Sequence, residues 1–132
     1  MYKSERHFSH ALVNILRANK FVVQRIESPE TGTGIPDMWL SSIRCKDKWV
    51  ELKNMPMVSV YDNYWTIPWR KGQQAWAYQY RKVMNRHTYT VCALKDGFIV
   101  IPMVKTYPKN VVRQSECIRM TSITDIIGVL SE

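Results

Sequence analysis

The run Trp49-Val50-Glu51-Leu52-Lys53 constrains this chain more than any other segment, because its alternation of character suits a strand lying between two layers. A strand turns successive side chains to opposite faces. Val50 and Leu52 then enter one apolar layer, while Glu51 and Lys53 emerge together on the other side. Asp37 lies fourteen positions upstream of Glu51, at the end of Gly34-Ile35-Pro36-Asp37. That interval holds a neighbouring strand, a tight turn and the return into Glu51. Residues 38–44 begin apolar and β-prone, and Cys45-Lys46-Asp47-Lys48 reads as a polar turn. A hairpin is therefore predicted to gather Asp37, Glu51 and Lys53.

Pro36-Asp37 followed by Glu51-x-Lys53, with Leu52 as the x, is similar to the PD-(D/E)XK signature of the restriction-endonuclease-like nuclease superfamily. Over roughly residues 1–102 the chain most resembles the small archaeal-type Holliday-junction resolvases and related phage nucleases. The resemblance implies an α/β fold with a restriction-endonuclease-like core. Its central mixed sheet is flanked by helices in the order αβββαβ, with an extra C-terminal strand and helix here. It also implies an acid near the start of a helix ahead of the core and a glutamine on a later helix. Glu5 and Gln73 are the candidates, and Gln73 fits better than Gln74 because Trp76 keeps a Gln-x-x-Trp spacing.

Length and charge agree with such a protein. The 132 residues, 45% of them hydrophobic, suit one compact domain, with a nuclease core at 1–102 and an extension at 103–132 that packs on the core or supports a dimer. Nineteen Lys and Arg against eleven Asp and Glu give a net charge of +8, which favours a polyanionic partner, nucleic acid first. No stretch approaches the ~20 apolar residues of a membrane span, and charge follows the first residues where a signal sequence would be apolar. A soluble, cytoplasmic protein is expected, in a bacterial or archaeal cell or in the host of a phage. Cys45, Cys92 and Cys117 lack the spacing of a zinc site or disulfide framework and read as reduced thiols. His7 and His10 share a helical face but have no further ligand pair beside them. His87 is expected in a surface loop.

Along the chain, helical and strand patterns alternate without repeats. Ser4 is placed to cap a first helix whose apolar stripe is Phe8, Leu12, Ile15 and Leu16. Glu5, three positions before Phe8, extends that stripe toward the sheet; it also suits the first turn of a helix as a plain dipole partner. Residues 21–26 should form the first strand. Residues 28–34 read as a loop, in which Thr31, Thr33 and backbone amides are candidate phosphate contacts beside the site. Residues 54–68 form an irregular, aromatic approach to the second helix. Tyr61, Tyr64, Trp65 and Trp69 there suit base stacking, mutual burial or a dimer interface, burial or interface being the commoner use.

The second helix is predicted over 71–85, with Trp76, Tyr80, Val83 and Met84 as its buried stripe and Gln73 extending it. Arg70, Lys71, Arg81, Lys82 and Arg86 are the candidate DNA contacts. Residues 88–94 and 98–102 should be strands joined through Lys95-Asp96-Gly97, a hairpin signal. The tail offers a short strand near Cys117 to Met120. A last helix, opened by Ser122, buries Ile123, Ile126, Ile127 and Leu130.

The chemistry implied is hydrolysis of a DNA phosphodiester with Mg²⁺, Mn²⁺ substituting. Asp37, Glu51 and the main-chain carbonyl of Leu52 would be oxygen ligands of the kind Mg²⁺ prefers. Lys53 would act as a base or an electrostatic stabiliser. Gln73 would position water or phosphate, and Glu5 would orient a water near the metal. A junction resolvase making paired cuts needs two sites and hence a homodimer. The other readings are a related nuclease acting on flap, nicked or linear DNA, a DNA-binding module without catalysis, and a chance motif in an unrelated domain. Two unneutralised acids facing a phosphate count against the binding module.

Overall fold

The computed structural model describes residues 2–26 and 34–132. Ser4 starts the first helix, α1 (Glu5–Ala18), its hydroxyl accepting from the His7 amide at 3.2 Å. The expected stripe is the buried one: Phe8, Leu12 and Leu16 are wholly covered, joined by Val13 and Ser9. Strand β1 (Val22–Arg25) follows, then β2 (Met38–Ser42) and the long β3 (Cys45–Met55). The loop expected at 28–34, with Thr31 and Thr33, lies outside the described residues except for Gly34.

The hairpin forms, but its turn lies earlier than the sequence suggests. Cys45-Lys46-Asp47-Lys48 belongs to β3, and Ile43 and Arg44 make the turn, with Ser42 paired to Cys45. These polar residues find partners inside the fold. Lys48 is fully buried with its Nζ 2.6 Å from the main-chain oxygen of Glu132, and Asp47 accepts from Trp39 Nε1 at 3.2 Å and pairs with Arg86 at 3.0 Å. Composition alone hides such strands because the partners are distant in sequence.

After β4 (Tyr64–Thr66) comes α2 (Gln73–Met84), then β5 (Thr88–Leu94) and β6 (Phe98–Pro102). Short strands β7 (Val111–Arg113) and β8 (Ile118–Met120) precede the closing helix α3 (Ile123–Leu130). The main sheet has six strands in the order β1-β2-β3-β5-β6-β8, and β4 and β7 form a two-stranded sheet of their own. β3 and β5 run parallel, with α2 lying between them in sequence, and the other neighbours in the main sheet are antiparallel. Every residue of β5 is buried, as befits a strand with layers on both faces.

One core lies between the sheet and α1 and α3, built on Phe8, Leu12, Val50, Leu52, Val91 and Leu130. The other covers the opposite face with Trp65, Ile67, Trp69, Cys92, Ile99 and Val112. Trp65 and Trp69 are therefore core residues, whereas Tyr61 and Tyr64 are exposed. Asp96 does more than turn the β5–β6 hairpin: its carboxylate accepts from Ser59 Oγ and the Val60 amide. All three cysteines are free thiols.

The stripe predicted for α2 is not its buried face. Val83 and Met84 are exposed, and Trp76 and Tyr80 are half-buried, edge-on against Trp49. The helix buries Gln73 and Ala77 instead. Small Ala77 lets the helix sit close to the sheet, and Thr88 Oγ1 donates to its carbonyl at 2.9 Å.

Candidate active site

The site forms where β2 begins and β3 continues beyond it. Met38 pairs with Val50, so Asp37, one step ahead of the ladder, stands across from Glu51. Its carboxylate accepts from the Leu52 amide at 2.8 Å, taking a position that another strand's carbonyl would otherwise occupy. β3 holds Glu51 and Lys53 on the α2 side, both buried, and their side chains meet at 3.2 Å. The first residue of α2 completes this pair. Gln73 Nε2 donates to Glu51 Oε2 at 2.9 Å, and Gln73 Oε1 accepts from Lys53 Nζ at 3.0 Å and from the Arg70 amide at 2.8 Å. With two donors on its oxygen, the amide can point its nitrogen only toward the carboxylate.

Gln74, the rejected alternative, faces elsewhere. It binds Tyr107 and Asn110 and fastens α2 to the segment after β6. Glu5 arrives from the start of α1, and carboxylate oxygens of Glu5, Asp37 and Glu51 lie within 4.8 Å of one another. Three acids thus lie together, with Lys53 paired to Glu51. Burial, then the charge of Asp37, pushes the Glu51 carboxyl up to about 8, and the same causes in the same order raise Glu5. An all-oxygen cluster in which Glu51 and Glu5 resist ionising suits a hard divalent cation, which would relieve that repulsion.

The cluster opens into a cleft of about 810 Å³ lined by Glu5, Asp37, Leu52, Arg6, Ser9, His10, Gln24, Arg25 and Ile26. Arg6, His10 and Arg25 are the basic groups beside the acids; from the sequence His10 is weighed only as a zinc ligand, and Arg6 and Arg25 carry no expected role. The available signal was Arg6 adjoining Glu5, with His10 one helical turn beyond it. Arg70 and Lys71 are exposed at the entrance to α2, next to Gln73. Arg81, Lys82 and Arg86 line a groove at the opposite end of that helix, most of its length of about 18 Å from Gln73. There Arg81 contacts His87, Lys82 lies over the Tyr78 ring, and Arg86 pairs with Asp47.

Among solved structures the chain is similar to Hjc from Archaeoglobus fulgidus, a Holliday junction resolvase from an archaeal hyperthermophile, with a TM-score of 0.63 over 92% of this chain and 98% of that one. The fold is that of a Holliday junction resolvase. At 14% identity the likeness is one of fold. No protein-family model matches the chain, and sequence comparison with characterised proteins finds no relative. The expected α/β architecture, a mixed sheet flanked by helices, is the resolvase architecture.

Proposed function

We propose that this protein is a metal-dependent endonuclease that cuts branched DNA, acting as a Holliday-junction resolvase. One observation carries the reading. In a resolvase fold, Glu5, Asp37 and Glu51 converge on a single cleft with Lys53 and Gln73 behind them.

Asp37 and Glu51 would hold Mg²⁺ or Mn²⁺, with the Leu52 carbonyl as a third oxygen donor. When bound, the cation supplies Lewis acidity, acidifying water and offsetting charge at the phosphate. Lys53 Nζ, held by Gln73 and Glu51, is placed to act on a phosphate oxygen or on the attacking water. Gln73 bonds both Glu51 and Lys53 and so restrains the two side chains where substrate would enter. Glu5, at the rim, orients water at the cluster. Arg6, His10 and Arg25 would take the phosphates flanking the scissile bond, and Arg70 and Lys71 those nearer α2.

Paired cuts in a four-way junction need two sites, and the stripe of half-buried Trp76 and Tyr80 with exposed Val83 and Met84 on α2 is the face we assign to a second copy. This stripe flanks an apolar groove of about 610 Å³ without an acidic residue in its lining.

The test is cleavage of labelled four-way, flap, duplex and single-stranded DNA side by side, with Mg²⁺ or EDTA, by wild type and Glu51→Ala. Paired symmetric cuts confined to the junction, absent in EDTA and in the variant, are expected. Metal-dependent cutting of the other substrates would retain the nuclease and discard junction selectivity. Binding without cutting would leave a DNA-binding module.

A further inference from the structure

The lead-in to Asp37 and the start of α2 meet backbone to backbone. Gly34 is buried with φ +81°, and a Cβ built on it would lie 2.5 Å from the Gly72 oxygen, 2.8 Å from the Gly72 carbon and 3.3 Å from the Gln73 nitrogen. Main-chain atoms do not tolerate such distances, so any side chain here must displace one of the two segments. The Gly72 carbonyl has little freedom, since it accepts the Trp76 amide at 2.9 Å in the first turn of the helix. The other segment is fixed at Asp37, whose carbonyl accepts the Ile26 amide at 2.8 Å and whose carboxylate accepts the Leu52 amide. A bare α-carbon at position 34 lets the two fixed pieces touch.

From this contact we infer that Gly34 is a positioning residue, setting the spacing between the acid cluster and the Gln73 clamp. In this assignment it acts through Gln73. Gln73 makes its bonds to Glu51, Lys53 and the Arg70 amide at 2.8–3.0 Å. A shift of about 1 Å at the start of α2 breaks that set, and misplacements of this size cost catalysis heavily. Gly72 provides the contrast. Its φ is +91°, equally left-handed, yet a Cβ there would meet nothing within 4 Å. Strain without collision is therefore available one residue from Gln73.

The inference rests on the nuclease reading for its kinetic arm and is independent of it in its spectroscopic arm. Gly34→Ala, Gln73→Ala, the double variant and Gly72→Ala are compared by junction cleavage with Mg²⁺, by melting temperature, and by the ¹⁵N and ¹H shifts of the Gln73 side-chain amide in metal-free protein. The single variants at 34 and 73 should each lose kcat on the order of 10–100-fold with KM little changed, and the double variant should be no slower than Gln73→Ala. Gly34→Ala should move the Gln73 amide resonances, while Gly72→Ala lowers melting temperature and leaves them in place. Multiplying losses in the double variant, or unmoved resonances in Gly34→Ala, would overturn the assignment. If the alanine variant does not fold in buffer, its amide shifts are read in a stabilising osmolyte, where unmoved Gln73 resonances still overturn the assignment. Absence of cleavage by wild type would sink the nuclease reading and leave the amide shifts to judge Gly34.

Discussion

Glu51 shows how a single buried side chain trades stability for a task. Burial and Asp37 hold its carboxyl at about 8, against 4.5 for the unperturbed group, so the folded chain binds this proton more tightly than the unfolded one does. The resulting stabilisation of metal-free protein is complete below the unfolded value and is lost as pH rises through the folded value. Glu51→Gln has no proton to lose. Melting in EDTA from about pH 5 to about pH 9 should therefore show wild type falling relative to the variant, with the gap levelling off above about 8. The same proton competes with a cation. Mg²⁺ or Mn²⁺ affinity, measured by calorimetry, should climb with pH until Glu51 is ionised and be largely lost in Glu51→Gln. A pH-independent affinity would mean that Glu51 is not a ligand. Asp37, Glu51 and Lys53 were legible because strand alternation and their order in the chain make the same statement twice. Arg6, His10 and Arg25 were not, because their one mark, the nearness of Arg6 and His10 to Glu5 along α1, is common on a basic protein and Arg25 lacks even that.

At the scale of elements, the two amphipathic helices read alike in sequence and behave differently. The α1 stripe faces the core, whereas much of the α2 stripe faces outward. Leu12→Ala should cost about 2–5 kcal/mol, the usual range for emptying a covered aliphatic site, while Val83→Ala should stay within about 0.5 kcal/mol. Chemical denaturation of both variants measures the contrast; equal losses would put α2's stripe back in a core. Periodicity identifies an apolar face without saying what covers it, which is why the helix itself was legible and its orientation was not. The turn at Ile43 and Arg44 was hidden for a related reason. Lys48 and Asp47 look like turn residues until Glu132, Trp39 and Arg86 are brought beside them by the rest of the fold.

For the whole molecule, the net charge of +8 contrasts with the three acids, Glu5, Asp37 and Glu51, gathered beside the cleft. Binding and cutting should therefore separate. Junction affinity, followed by mobility shift or anisotropy, should fall steeply with salt as phosphate contacts are screened, and Glu51→Ala should bind at least as well as wild type while failing to cut. If the α2 stripe joins two copies, Val83→Asp should shift the protein to monomer in light scattering and uncouple paired cuts into single nicks. An unchanged mass would place any dimer elsewhere. The mixed sheet and flanking helices were legible from the alternation of patterns; the β4–β7 pair was not, because its strands are three residues each and far apart in the chain.

On the nuclease reading, the parallel pairing of β3 with β5 also governs when cutting can begin during synthesis. Every residue assigned to the acid cluster and its clamp has left the ribosome's catalytic centre by position 73, yet the strand carrying Glu51 and Lys53 is flanked on that side only once Thr88–Leu94 has been made. At roughly 5–20 residues per second, the interval is on the order of seconds. A nascent chain of this protein should be harmless to the DNA around it until its centre strand has found a partner made after it.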